Sequence, residues 1–418
     1  MPADPAILLD ISRLLSRLGR GTATGIDRVE AEWLAHLQTR DHLLLCRVPR
    51  GQLLLPPPAG AALLRWLAGD LADLPRPGPW HRLLGRDTLR LRAVRGLRRM
   101  ALRRYGRAPR GLGADVARRL GVDAAYLNLG HANWDRRVMA ALSPLPRVVM
   151  VHDAIPLDHP EYTRQGQSAL FRDRFAAVLA GADLVLTVSQ ASAQSVRDWQ
   201  GRLRQRRALP VVAAPIGTRL AAPDPAGLPP GLDLSRPFFV TLGTIEPRKN
   251  HALLLDAWQE LSRRLDPPRL PQLFIVGSRG WENAETFARL DALPPGGPVR
   301  ELNGLDDGAV AELLGRSHGL LMPSRAEGFG LPLTEAAARG IPVISAPLPV
   351  ARELLGGYAR YLPPDDARAW AGAVALLAAA LPLRLPPHPV PQWDGHFAQV
   401  AAAIRERLPA GAAGAMPR

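Results

Sequence analysis

Short apolar runs recur along the chain, and between them lie stretches whose apolar residues fall at three- and four-residue spacing. Ala6-Ile7-Leu8-Leu9-Asp10, Leu43–Val48, Ala124–Leu129, Arg147–Val151, Ala182–Val188 and Val211–Ala214 read as strands. Asp27–Gln38, with Val29, Trp33, Leu34 and Leu37 on one face, reads as a helix, as do Asp135–Leu142, Gln167–Ala180 and Ala191–Leu203. A stretch with four prolines, Leu220–Arg236, then reads as a linker. After it the pattern restarts. Pro237–Leu242, Gln272–Val276, Val299–Leu302, Gly319–Met322, Pro342–Ser345 and Arg360–Leu362 are predicted strands, and His251–Arg264 and Leu333–Arg339 predicted helices. Strands alternating with helices predict the α/β class, with two doubly wound, Rossmann-like domains over residues 1–219 and 220–389. Function is then expected at the carboxyl ends of the strands. Val390–Leu408 reads as a last amphipathic helix, and the small-residue tail 409–418 as disordered.

Leu53–Leu112 departs from this rhythm. Pro56, Pro57, Pro58, Pro75, Pro77 and Pro79 suggest surface connections. Leu91, Val94, Leu97, Ala101 and Tyr105 fall at helical spacing with arginines opposite, which predicts a basic amphipathic helix between Arg86 and Tyr105. Charge sharpens that reading. Arg76–Arg110 holds twelve arginines against one acid, Asp87, and so carries about +11 of the net +15. Such a helix suits an anionic membrane surface or an acidic partner. A solvated helix in an arginine-biased chain remains the alternative. Nucleic acid is not expected as a partner, because the segment lacks interleaved aromatics and any recognised module.

Composition changes the picture in three further places. There is one lysine, Lys249, against 52 arginines, so the position that holds it stands out. There is one cysteine, Cys46, which excludes an internal disulfide and a cysteine-based metal cluster and fits a reducing cytoplasm. No apolar run reaches the length of a spanning helix, and MPADPAILLD has no basic start, so neither a membrane span nor a signal peptide is expected.

The chemistry concentrates in Pro323–Gly340, PSRAEGFGLPLTEAAARG. An apolar strand runs into Gly328-Phe329-Gly330, where the chain must turn. Pro332 suits the first turn of a helix, where its missing N–H costs nothing. Glu327 stands at the mouth of that helix and Glu335 about one turn in. Two carboxylates beside the open N–H groups of a helix end suit a polyhydroxylated, phosphorylated ligand; a capped helix with surface acids is the plain alternative. His152 and Asp153 follow a strand end, and Gly243-Thr244-Ile245-Glu246-Pro247-Arg248-Lys249-Asn250 follows another.

EGFGLPLTEAAARGIPVIS resembles the E-x7-E donor-site signature of family 4 retaining glycosyltransferases, GT-B proteins of which this would be a mannosyltransferase-like member. The resemblance extends from about Ile7 to Leu408 and is weakest over Leu53–Leu112. It implies a GT-B fold: an acceptor-binding first domain, a nucleotide-sugar-binding second domain, and a helix over 390–408 that crosses back to the first. The implied reaction moves a sugar from a nucleotide diphosphate sugar to a hydroxyl of a glycan or lipid-linked acceptor, with retained configuration. By resemblance, Glu327 lies near the transferred sugar and Glu335 holds the ribose, with Gly328, Phe329, Gly330 and Leu331 lining the donor between them. VVMVHDAIPLDHPEY is similar to the family stretch with an active-site histidine, which makes His152 a catalytic candidate beside Glu327 and Lys249. TGIDRVEAEWLAHL is similar to the family's first loop and helix, which implies that Gly25 faces the diphosphate. GTIEPRKNH is similar to its diphosphate loop, which brings in Thr244, Arg248 and Lys249. There this chain departs from the family, since Thr244 occupies the place of the usual first arginine. No Asp-x-Asp pair precedes the presumed phosphates, so no metal and no cofactor beyond the donor substrate are expected. A GT-B nucleotide-sugar epimerase and a non-catalytic assembly partner remain open alternatives.

Overall fold

The structure is a computed structural model and describes residues 4–20, 24–76, 88–203, 207 and 209–407. Among these residues two sheets form. The first takes β1 (Ile7–Asp10), β2 (His42–Val48), β3 (Gly51–Leu55), β4 (Arg103–Tyr105), β5 (Ala125–Asn128), β6 (Arg147–Val151), β7 (Leu184–Thr187) and β8 (Val211–Ala213) in the order β4-β3-β2-β1-β5-β6-β7-β8. The second takes β9 (Phe238–Leu242), β10 (Gln272–Val276), β11 (Val299–Leu302), β12 (Leu320–Met322), β13 (Val343–Ser345) and β14 (Arg360–Tyr361) in the order β11-β10-β9-β12-β13-β14. All pairings of the second sheet are parallel.

Strands such as β1, β5, β9 and β10 are buried along their whole length. Helices cover both faces, so the strands read as continuous apolar runs rather than alternating ones. Leu8 and Leu9 point to opposite faces and join different apolar clusters. The helices that position the site are α1 (Ser12–Arg17), α2 (Gly25–Leu37), α3 (Pro57–Leu67), α4 (Leu89–Met100), α5 (Gln190–Arg202), α6 (Asp307–Arg316), α7 (Leu331–Ala338) and α8 (Trp393–Arg405). Helix α8 follows the second sheet in sequence but packs on the first. Its His396 accepts from Trp33 Nε1 at 2.9 Å and donates from Nδ1 to the carbonyl of Ala214 at 3.0 Å. Phe397 stacks on His36 with ring centres 3.6 Å apart.

The segment Leu53–Leu112 differs most from expectation. β3 runs antiparallel to β2, and β4 antiparallel to β3, so the first sheet is not wholly parallel. Pro57 and Pro58 form the first turn of α3 rather than a surface connection, because a helix start needs no N–H there. The arginine-rich helix stops at Met100; Ala101 lies beyond it and Tyr105 belongs to β4. Its apolar face, Ala93, Val94 and Leu97, is buried against the protein and is not free to enter a membrane. Pro77, Pro79 and Arg86 fall outside the described residues, as does the tail 409–418.

Candidate active site

Both sheets have a switch point, where successive connections depart in opposite directions and a crevice opens at the strand ends. In the second sheet it lies between β9 and β12. The loop after β9 carries Arg248 and Lys249, and the loop after β12 carries Glu327. Lys249 Nζ donates to Glu327 Oε1 at 2.6 Å, and Arg248 Nη1 to Glu327 Oε2 at 2.9 Å. Arg248 also pairs through Nε with Glu246 at 2.6 Å and donates to the carbonyl of Ala326. Asn250, in the left-handed region at φ 55°, ties this loop to the carbonyls of Pro323 and Pro364. Gly243 is needed because the Lys249 ammonium passes over it: a Cβ there would lie 3.2 Å from Nζ.

Burial pushes the Glu327 carboxyl up, but Arg248 and Lys249 together outweigh it and hold it at about 2. Burial pulls the Lys249 ammonium down, and Glu327 opposes that pull. The group is therefore an ionised carboxylate shared by two cations. Thr244 lies apart from it, exposed, with its methyl against Gly280.

The turn after Glu327 meets the first unit. Gly328 approaches the carbonyl of His152 so closely that a Cβ would come within 2.7 Å of it. The Gly328 carbonyl accepts from Ser189 Oγ at 2.9 Å and Ser192 Oγ at 3.2 Å. Phe329 is buried, and Gly330 takes φ 90° to cap α7. His152 is buried, its Nε2 donating to the carbonyl of Leu129 at 2.7 Å, and burial lowers its pKa to about 4. It is thus a neutral imidazole whose ring is already committed on one side. A second histidine, His131, accepts from the His152 backbone N–H at 3.1 Å.

Farther along α7, Glu335 faces α2. Arg28 Nη1 donates to Glu335 Oε1 at 3.1 Å and Nη2 to Asp307 Oδ1 at 2.5 Å. Gly25, the first residue of α2, stands opposite Leu331. Arg28, Asp307, Leu331 and Glu335 line a cavity of about 300 Å³ together with Leu14, Leu220 and Trp393. On the opposite flank, Glu353 caps the start of α5 by accepting from the N–H groups of Gln190 at 2.8 Å and Ala191 at 3.1 Å. Of the sequence-expected residues, Arg248, Lys249 and Glu327 form one charged cluster, Gly328 lies against the backbone of His152, and Gly25 faces Leu331, which lines a cavity with Glu335. Among the described residues no group of three or more His, Cys, Asp or Glu is arranged to hold a metal ion.

Residues 229–382 match the family described as glycosyl transferases group 1. The match covers the second sheet and the helices around it. The serotype-specific mannosyltransferase WbdA of Escherichia coli is 34% identical over 236 residues, which is 53% of this chain and 29% of that protein. The O-antigen chain mannosyltransferase B of Escherichia coli is 29% identical over 229 residues, 52% of this chain and 58% of that one. The chain thus spans less than two thirds of the length of either relative. The crystal structure of Anabaena Alr3699/HepE in complex with UDP matches with a TM-score of 0.56 at 16% identity, covering 96% of this chain and 98% of that one. That likeness extends through both sheets and shows the GT-B fold. The residues that sequence reasoning missed are Arg28, Asp307, Glu246, Ser189 and Ser192. Glu246 lay inside the GTIEPRKNH loop and Arg28 inside the TGIDRVEAEWLAHL stretch, where the abundance of arginine hid it.

Proposed function

We propose that this chain transfers a hexosyl group, mannosyl by analogy with its relatives, from a nucleoside diphosphate sugar to a hydroxyl of a glycan or lipid-linked acceptor, with retained configuration. The observation that carries this reading is the shared carboxylate: Glu327 held between Lys249 and Arg248 at the switch point of the second sheet, with Glu335 one turn along the following helix. A departing diphosphate gathers negative charge on its oxygens. Two cations fixed in a crevice stabilise that charge without having to reorganise. Glu327, ionised at any working pH, can in turn face positive charge developing on the sugar. His152 stands where the acceptor-side unit meets this turn, and its neutral ring can hydrogen-bond a sugar hydroxyl. The residues 1–219 would serve the acceptor and 220–389 the donor, with the arginine-rich surface around α4 resting on an anionic membrane. No helix among the described residues is long and apolar enough to cross a membrane. A cytoplasmic setting fits the lone, buried Cys46.

The test is a screen of nucleotide sugars for thermal stabilisation, since a ligand that binds the folded state raises its stability by mass action. The stabilising sugar is then incubated with glycan acceptors, and the anomeric configuration of the product read by NMR. Conversion of the donor without any acceptor would mark an epimerase. Failure to bind any nucleotide would mark a non-catalytic partner.

A further inference from the structure

Arg28 reaches from the first unit to Glu335 of α7 by charge, and its geometry is specific. Its neighbour Asp27 is fully used at home: it closes a capping box with Thr24 and accepts from Arg13 Nε at 2.7 Å, with Arg17 Nε at 3.0 Å. Arg28, one position on, reaches Glu335 and Asp307 instead. Helix α2 is itself fixed, because Trp33 is anchored by His396 of α8. The guanidinium therefore arrives at Glu335 from a held position, and its planar fork spans two carboxylates, Glu335 Oε1 and Asp307 Oδ1.

Building on the donor-site reading above, we propose that Arg28 is the positioning residue of the ribose site: it holds one oxygen of Glu335 from the opposite side of the cleft and leaves the other oxygen free for the ribose hydroxyls. Arg28 does not touch the reacting atoms and acts through Glu335. The site is then complete only when the two units are together, so donor affinity and cleft closure are linked through one ion pair.

The electrostatics agree with the geometry. Burial pushes the Glu335 carboxyl up, Asp307 pushes it the same way, and Arg28 is the largest opposing influence. Arg339, at the end of α7, also opposes, but its guanidinium donates to the carbonyl of Ala221. Across the cavity Arg219 is paired with Glu32. Remove Arg28 and Glu335 is left buried beside Asp307 with weaker support for its charge. It protonates at higher pH, gives up an acceptor site, and is free to rotate. Lysine at position 28 would restore charge but could not span both carboxylates.

Calorimetric titration of the full chain with UDP and with GDP, from pH 5.5 to 8, tests this. The wild type is expected to bind one of them with little pH dependence. Arg28→Ala should weaken that binding about tenfold at the acid end and less at the alkaline end, with donor KM raised and kcat little changed. Arg28→Lys should recover part of the loss. In a Glu335→Gln background, Arg28→Ala should have no pH-dependent effect, because the group it acts on can no longer titrate. Weakened binding by Glu335→Gln alongside normal, pH-flat binding by Arg28→Ala would overturn the role of Arg28 and leave the donor-site reading intact. Absence of nucleoside diphosphate binding by the wild type would overturn both.

Discussion

Lys249 donates to Glu327 Oε1 at 2.6 Å, so the single lysine of the chain meets the first carboxylate of its E-x7-E turn directly. The pair is nearly sealed from solvent, with side-chain exposures of 10% and 7%. An ammonium fits there because it is compact. The Lys249 chain passes over Gly243 within van der Waals reach, and a planar guanidinium would need more room. If Lys249 stabilises the departing diphosphate, its contribution grows as the glycosidic bond breaks. Lys249→Ala is expected to lower kcat on the order of 10²–10³-fold, as loss of one oxyanion donor does. Lys249→Arg should recover only part of that. Near-normal turnover by the alanine variant would remove Lys249 from the mechanism.

Glu335→Gln keeps the shape of the side chain and removes its charge. Hydrogen bonds to a charged acceptor contribute about 1.5–3 kcal/mol, so nucleoside diphosphate binding should weaken by that amount. Calorimetry gives the answer directly. Unchanged affinity would show that ribose does not rely on this carboxylate.

Gly328→Ala probes the junction of the two units. The added methyl would meet the carbonyl oxygen of His152 at 2.7 Å and Asp153 Cβ at 3.1 Å. That carbonyl is already fixed by Ser192 Oγ at 3.0 Å and cannot easily yield. The clash should cost about 1–3 kcal/mol, and because it lies between the units it is most simply relieved by parting them. Lower turnover with a larger radius of gyration in small-angle scattering is the expected result. A variant with wild-type activity and scattering would mean that the junction is softer than its geometry implies.

These positions also show which parts were legible in the sequence. The strands β1, β5, β6, β9 and β10 were readable because burial on both faces leaves them few polar positions. The glycine turn was readable because Gly330 needs φ 90°. By contrast β4, Arg103-Arg104-Tyr105, is an edge strand whose two arginines are exposed, so it carries no apolar signal and was absorbed into a helical pattern. α3 was hidden by the prolines that begin it. The pairing of Arg28 with Glu335 joins residues 307 positions apart, and no local pattern reports such a contact. Arg248 was readable as a member of the loop, but its division between Glu246 and Glu327 was not.

The basic surface around α4 gives a prediction that the fold has narrowed. The apolar face of α4 is packed on the core, so attachment to a membrane would be electrostatic and would not involve insertion. Arg99, Arg103, Arg104, Arg107 and Arg110 are exposed. Each basic residue near an anionic surface contributes about 1 kcal/mol at low salt. Flotation with anionic vesicles should be salt-sensitive, and Arg99→Glu with Arg104→Glu should abolish it. Equal binding to neutral vesicles would contradict the electrostatic mode.

Buried histidines, three of them His152, His251 and His396, contribute to acid stability. Burial holds His152, His251 and His396 each at about 4. In the unfolded chain a histidine titrates near 6.5. Between these values the unfolded chain binds protons that the folded chain refuses, so stability is full above about pH 6.5 and is lost as pH falls towards 4. Each histidine contributes on the order of 1 kcal/mol per pH unit across that window. Glu327 acts lower: its carboxyl, held at about 2, withdraws stability only as pH drops below the ordinary glutamate range. His396 is the best position for the test, because its neutral form is fixed from both sides, Nδ1 donating to Ala214 and Nε2 accepting from Trp33. Protonation would set two donors face to face and loosen α8 from α2. Denaturant unfolding of His396→Gln from pH 7.5 to 4 should give a profile flatter than wild type by about 1 kcal/mol per pH unit. A variant profile that runs parallel to wild type would show that His396 takes no part in the acid response.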